Sequence, residues 1–153
     1  GDFFVKPMPV SEEFKKEFEN SLCLVYANQQ RDTEEIAKSH INKDKKNILH
    51  YSREAYNLFI KEDIESIFKI FLDSWEEKKS LSPLIMNASL ASLETQLKNC
   101  GAKSLKLLGS GGCGFFLCMS DPNNIKKIKE NFNDLVFNFS FEDRGTEQIF
   151  KKL

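Results

Sequence analysis

An α+β fold, a mostly antiparallel sheet with helices packed on one face, is predicted by three features of the sequence. Apolar runs of strand length occur at Leu22–Ala27, in KSLKLL (103–108) and in FFLCMS (115–120). Between the first two runs lie long stretches with the 3.6-residue period of amphipathic helices. After the third comes one capped helix and then an alternating segment, so the strands and helices group as β–β–(helices)–β–β–α–β.

Each element has its own warrant. The opening DFFVKPMPV (2–10) reads as an edge strand ended by Pro7 and Pro9, because proline has no N–H for a ladder. SEEFKKEFENSL starts at Ser11, a capping hydroxyl, and sets Phe14, Phe18 and Leu22 on one face, which predicts a short helix or turn. LCLVYA, uninterrupted by polar residues, is expected as a central strand. RDTEEIAKSHI predicts a short polar helix, and KKNILHYSREAYNLFI a longer one repeating at Ile48, Ser52, Ala55 and Phe59.

EDIESIFKIFLDSWEEKK gives the clearest helix, with Ile64, Ile67, Phe68, Phe71, Leu72 and Trp75 in one stripe. Its acids lead and its lysines trail, as the helix dipole favours. SPLIMNASLASLETQLKNCG predicts a helix with Ser82 as N-cap, Pro83 first and Gly101 just past the end. Its apolar stripe is Met86, Leu90, Leu93, Leu97 and Cys100. DPNNIKKIKENF is capped by Asp121 with Pro122 at the first helical position. LVFNFSFED alternates Phe137, Phe139 and Phe141 with Asn138, Ser140 and Glu142, the pattern of a half-buried strand.

The 153 residues suit one domain, 1–153, with no repeat, low-complexity segment or linker. Lys and Arg (22) balance Asp and Glu (23), giving a net charge of −1 and no electrostatic case for nucleic acid or an anionic membrane as partner. No apolar run approaches the roughly 20 residues that span a bilayer. The start GDFFVKPMPV has neither the basic nor the apolar region of a signal peptide. Cys23, Cys100, Cys113 and Cys118 show no CxxC spacing, and His40 and His50 are not an i, i+4 pair. Reduced thiols, no metal site and a cytoplasmic address are therefore expected.

Gly109-Ser110-Gly111-Gly112-Cys113-Gly114 concentrates four of the chain's seven glycines in six residues and matches the bare pattern GxGxxG. A dinucleotide fingerprint must open a helix, whereas this loop runs into FFLCM. A Walker A loop ends in Gly-Lys-Ser/Thr, and Phe115 stands where the lysine belongs. The HRD and DFG companions of a protein-kinase loop are absent. What remains is a strand–loop–strand whose bare backbone allows positive φ. Its N–H groups can converge on an anion, or the loop can pack closely on a neighbour.

AKSLKLLGSGGCGFFLCMS resembles the third, C-terminal motif of the GHMP superfamily of small-molecule kinases, which includes galactokinase, homoserine kinase, mevalonate kinase and phosphomevalonate kinase. The match falls on Lys106, Leu107, Gly109, Gly111, Gly112 and Gly114; Ser110 replaces an alanine and Cys113 a glycine. SWEEKKSLSPLIMN, LCLVYANQQRDTEEIAKSHI and FNFSFEDRGTEQIF are similar to the D-glycero-D-manno-heptose 7-phosphate kinases of that superfamily. The proline-x-x-x-glycine-leucine-glycine-serine-serine loop of its members, which lies in their N-terminal half, does not occur here.

The resemblance implies the C-terminal, substrate-side domain of an ATP-dependent kinase, with a ferredoxin-like core and extra helices. It implies ATP and Mg as cofactors, held mainly by an N-terminal half, a sugar phosphate as substrate, and no catalytic residue in this chain; the alternatives are another small alcohol or phosphate as acceptor, or a non-catalytic ligand-binding or interaction module. The glycine loop, Gly109, Ser110, Gly111, Gly112 and Gly114, would meet phosphates with its amides, Gly111 and Gly112 foremost. Arg31 would grip the substrate's 7-phosphate, and Lys106 would aim its charge into the cleft, the alternative being an outward residue on an alternating strand. Lys78, Lys79 and Ser82 sit at a helix–helix corner, with Lys79 as the substrate contact, though EEKK is also what a solvated helix end looks like. Trp75 belongs to the core. The face toward the N-terminal half would expose an apolar patch and favour self-association.

Overall fold

The Ser11 hydroxyl accepts from the Phe14 N–H at 3.1 Å and starts α1, Glu12–Asn20. In the computed structural model, residues 7–27, 33–40 and 46–142 are described. α1 leads into β1, Leu22–Tyr26, followed by four helices: α2 (Thr33–His40), α3 (Lys46–Ile60), α4 (Ile64–Leu81) and α5 (Ala88–Asn99). β2 (Ser104–Leu107), β3 (Phe115–Met119), α6 (Pro122–Asn131), a 3-10 turn at Asn133–Leu135 and β4 (Val136–Phe137) complete the order.

The sheet runs β2–β3–β1–β4 with every pairing antiparallel. β1 and β2 are thus parallel to each other with β3 between them, and β3 and β4 flank β1 in the same way. Two interleaved split β–α–β units result, which is the ferredoxin-like arrangement. The α+β class and the antiparallel sheet are as the sequence predicts, and LCLVYA is indeed interior.

Alternation along the strands sends side chains to two clusters. Cys23, Val25, Leu105, Leu107, Phe116 and Cys118 point to one face, where Leu90 and Leu97 of α5, Ile125 and Ile128 of α6, and Trp75 of α4 cover them. Trp75 is fully buried, edge-on to Phe116 at 6.1 Å between ring centroids. This is the expected helical layer, but the second cluster corrects the expectation that helices pack on one face alone. Leu22, Leu117 and Met119 leave from the other face and meet Phe14 and Phe18 of α1, Phe59 of α3, and Ile67 and Phe68 of α4. α4 packs against β2 and feeds both clusters, so the tip of β2 and the loop after it are fixed from the helix side.

Three boundaries differ from the sequence reading. The helix expected from Ser82 begins only at Ala88, capped by Asn87, whose side chain accepts from the Leu90 N–H at 2.9 Å. Ser82 ends α4 instead, and its hydroxyl accepts from the Leu84 N–H at 3.2 Å, making residues 82–87 a turn that drives Ile85 into the core. The C-terminal strand pairs with β1 only at Val136 and Phe137. Beyond it the chain leaves β1 because Phe141 stacks on Phe18 at 6.0 Å and its N–H donates to Glu19 Oε1 at 2.6 Å. Phe137, Phe139 and Phe141 stay 37–50% exposed, so their alternation does not mark a buried face. Of the expected opening strand, residues 2–6 lie outside the described residues, and Pro7–Val10 have no strand pairing.

Candidate functional site

The glycine loop bridges the tips of β2 and β3 and is tied at both ends. Leu108 N–H donates to Phe115 O at 2.9 Å, and Ala27 N–H, just past β1, donates to Gly114 O at 2.9 Å. Gly111 and Gly112 have φ of +113° and +72°, a region that side-chain-bearing residues rarely adopt. Space forbids a side chain as well. A Cβ on Gly111 would lie 3.0 Å from the Ile85 Cα and Cγ2, and one on Gly112 would lie 2.1 Å from the Ile36 Cδ1.

These two glycines therefore let the loop dock on the 82–87 turn and on α2. Gly112 N–H donates to Ile85 O at 2.9 Å, and Asn87 Nδ2 donates to Gly112 O at 3.5 Å. Gly112 thus spends its amide within the chain, whereas no described residue accepts from the N–H groups of Gly109, Gly111 or Gly114. Gly109 is exposed and Ser110 half-buried. Cys113 has no positive φ, which explains how a cysteine is accepted inside the run of glycines.

Lys78, one α-helical turn beyond Ser74, holds the loop from the other side. Its ammonium donates to the carbonyl oxygens of Gly109 and, at 3.3 Å, of Leu107. Lys106 leaves β2 on the face opposite Leu105 and Leu107, lies over the Phe71 ring at 5.4 Å and donates to Ser74 Oγ at 3.0 Å. Both lysines line a cavity of about 420 Å³ between α3, α4 and β2, walled by Tyr51, Ala55, Ile70, Phe71 and Leu81. Burial lowers the pKa of each amine below the ordinary lysine value, and for Lys78 the Lys106 charge lowers it further.

Lys79 faces elsewhere. It lies over the Trp75 ring at 5.5 Å and pairs with Glu76 at 2.8 Å and with the buried Glu94 at 3.1 Å, while Lys98 reaches the same Glu94 oxygen at 2.7 Å. Burial acts to raise the Glu94 pKa, but the hydrogen bonds from Lys98 and Lys79 outweigh it and hold the carboxyl below its ordinary 4.5. A carboxylate favoured in the folded state stabilises it above the unfolded pKa, and that contribution is lost as pH falls through the folded value. Glu94→Gln should therefore cost about 1.5–3 kcal/mol at neutral pH. In urea titrations the gap should close in acid; a gap independent of pH would contradict the pairing.

Ser82 is buried beneath this corner, its hydroxyl accepting from Ser39 Oγ at 2.7 Å. Arg31 lies outside the described residues. Lys78 is the loop partner that its place in EEKK conceals, although its helical spacing from Phe71 and Ser74 puts it on the face that meets β2. No cluster of three or more His, Cys, Asp or Glu side chains able to hold a metal occurs among the described residues. No helix among them is long and apolar enough to cross a membrane. Amide donors and half-buried ammonium groups suit phosphate oxygens; the same residues do not make a magnesium site.

A family model described as GHMP kinases C terminal matches residues 55–136, just over half of the chain. A Campylobacter jejuni protein assigned as a sugar kinase shares the fold with a TM-score of 0.67 and 21% identity, over 93% of this chain and 42% of that one. A D-glycero-D-manno-heptose 1-phosphate kinase from Bacteriodes thetaiotaomicron gives 0.60 and 19%, over 90% and 38%. L. major mevalonate kinase, solved with R-mevalonate, gives 0.59 and 15%, over 76% and 40%. The chain thus spans about two fifths of the length of these structures. No curated protein sequence matches it.

Proposed function

The chain belongs to the GHMP kinase C-terminal family, and on that premise we propose that it is the acceptor-side part of an ATP-dependent sugar-phosphate kinase. The acceptor we favour is D-glycero-D-manno-heptose 7-phosphate, phosphorylated at C1 in the cytoplasm as a precursor of surface polysaccharide. The observation that carries the reading is the glycine loop, pinned by Ile85 on one side and Lys78 on the other with the amides of exposed Gly109 and half-buried Gly114 left to donate. The likeness of SWEEKKSLSPLIMN to the heptose 7-phosphate kinases supports the acceptor.

In the reaction the acceptor hydroxyl bonds to the γ-phosphorus as the bond to the bridging oxygen breaks and ADP leaves. Such transfers are accelerated chiefly by positioning and charge stabilisation. The loop amides orient phosphate oxygens, and Lys106 supplies charge beside them. Arg31 and Lys79 stand as further acceptor contacts, Lys79 on condition that it leaves Glu94. On this reading the phosphate loop, the magnesium ligands and any catalytic base would come from a companion half.

A polypeptide that joins this chain to the coding sequence upstream of Gly1 should release ADP from Mg-ATP when given the heptose 7-phosphate. Turnover on mevalonate or phosphomevalonate alone would move the acceptor to another branch of the family. No ADP with any of these acceptors would overturn the kinase reading.

A further inference from the structure

We propose that the cavity holding Lys78 and Lys106 seats the phosphate monoester of the acceptor, with the acceptor's carbon skeleton on the apolar wall formed by Phe71, Tyr51 and Leu81. The inference rests on the kinase reading and adds to it the place where the acceptor's own phosphate sits and the residues that select it. Its basis is a charge imbalance. Among the described residues neither ammonium has a carboxylate partner within ion-pair distance; their acceptors are two carbonyl oxygens for Lys78 and one hydroxyl for Lys106. Two half-buried cations around one cavity repel each other and are poorly solvated, so an anion that bridges them relieves both costs.

The one carboxylate on the wall, Glu77, is drawn toward α3, accepting from Asn47 Nδ2 at 3.0 Å and pushing the Tyr51 pKa up. It leaves the lysine end of the cavity cationic. The volume of about 420 Å³ falls in the range of small-molecule sites. Because Lys78 also holds Gly109 and Leu107, a phosphate seated there lies beside the glycine loop, which fits an acceptor rather than a remote effector. A nucleotide phosphate offers the same chemistry, so the test separates the two sources.

The test is carbon-detected NMR of the lysine side chains in the 153-residue protein, titrated with inorganic phosphate, glucose 6-phosphate, glucose and ATP. In the free protein both amines should titrate below the ordinary 10.5. Inorganic phosphate and glucose 6-phosphate should shift the Lys78 and Lys106 signals saturably and raise both midpoints, and glucose should shift neither. Lys106→Met, which leaves the glycine-loop contacts intact, should abolish the effect at Lys78; Lys78→Met should abolish it at Lys106. Unshifted lysines, or a shift that survives Lys106→Met, would overturn the proposal. So would ATP displacing glucose 6-phosphate from these lysines at lower concentration, which would assign the seat to the nucleotide. Kinase activity of the longer polypeptide is scored separately, so the cavity and the kinase reading can fail independently.

Discussion

Gly111→Val should abolish most phosphotransfer while leaving the fold in place. At φ +113° a β-branched residue is strained by about 1–3 kcal/mol before any contact is counted. Its Cβ would then meet the Ile85 Cα at 3.0 Å, a backbone atom of the 82–87 turn that has no rotamer with which to give way. The loop has to lift off that turn, breaking the 2.9 Å bond from Gly112 N–H to Ile85 O. Misplacing positioning groups by about 1 Å costs roughly a hundredfold in rate, so kcat/KM of the longer polypeptide should fall by at least that factor.

Thermal melting of the 153-residue protein should drop by several degrees, at about 2–4 °C per kcal/mol for a chain of this size, with far-UV circular dichroism unchanged. Gly112→Val should follow in the same direction but more mildly, because the atom it meets, Ile36 Cδ1, is the end of a side chain that can turn away. Near wild-type turnover in the Gly111 variant would remove the loop from the mechanism.

The fold was legible where local chemistry and burial agree. Ser11 and Asp121 cap the helices that their spacing announces, and the stripe from Ile64 to Trp75 buries Ile67, Phe68 and Trp75. Ser82-Pro83 misled because a serine before proline suits a turn as well as a helix start. A tertiary need decided the matter, since Ile85 must be free to offer its carbonyl to Gly112. The phenylalanines after Val136 misled because alternation reports one-sided burial only where a partner strand continues, and Phe18 draws the chain away from β1.

The site was half legible. Glycine spacing located the loop, whereas the Lys106 ammonium reaches Ser74 and the Phe71 ring and it is Lys78 that touches the loop. The division of labour among the glycines was hidden, because close approach to Ile85 and Ile36 depends on elements distant in sequence. Lys78 and Lys79 are neighbours in the chain and both ammonium groups lie over the Trp75 ring, yet one reaches the loop carbonyls and the other Glu94. Helical phase relative to β2, not residue type, separates them.

Phosphotransfer should need more than this chain. Its loop offers amides and its cavity two lysines, but no phosphate loop occurs in the sequence and no metal-holding cluster among the described residues. A few donors at an open surface hold a triphosphate poorly, because water competes for them at high dielectric. On the proposed reading the acceptor side of a kinase resides in this chain and the nucleotide clamp does not. Calorimetric titration of the 153-residue protein with Mg-ATP, run beside a coupled ADP-release assay with D-glycero-D-manno-heptose 7-phosphate, tests it most directly. ATP affinity should be no tighter than about millimolar, near −4 kcal/mol, with no turnover. Micromolar ATP binding, or ADP release by this chain alone, would contradict it.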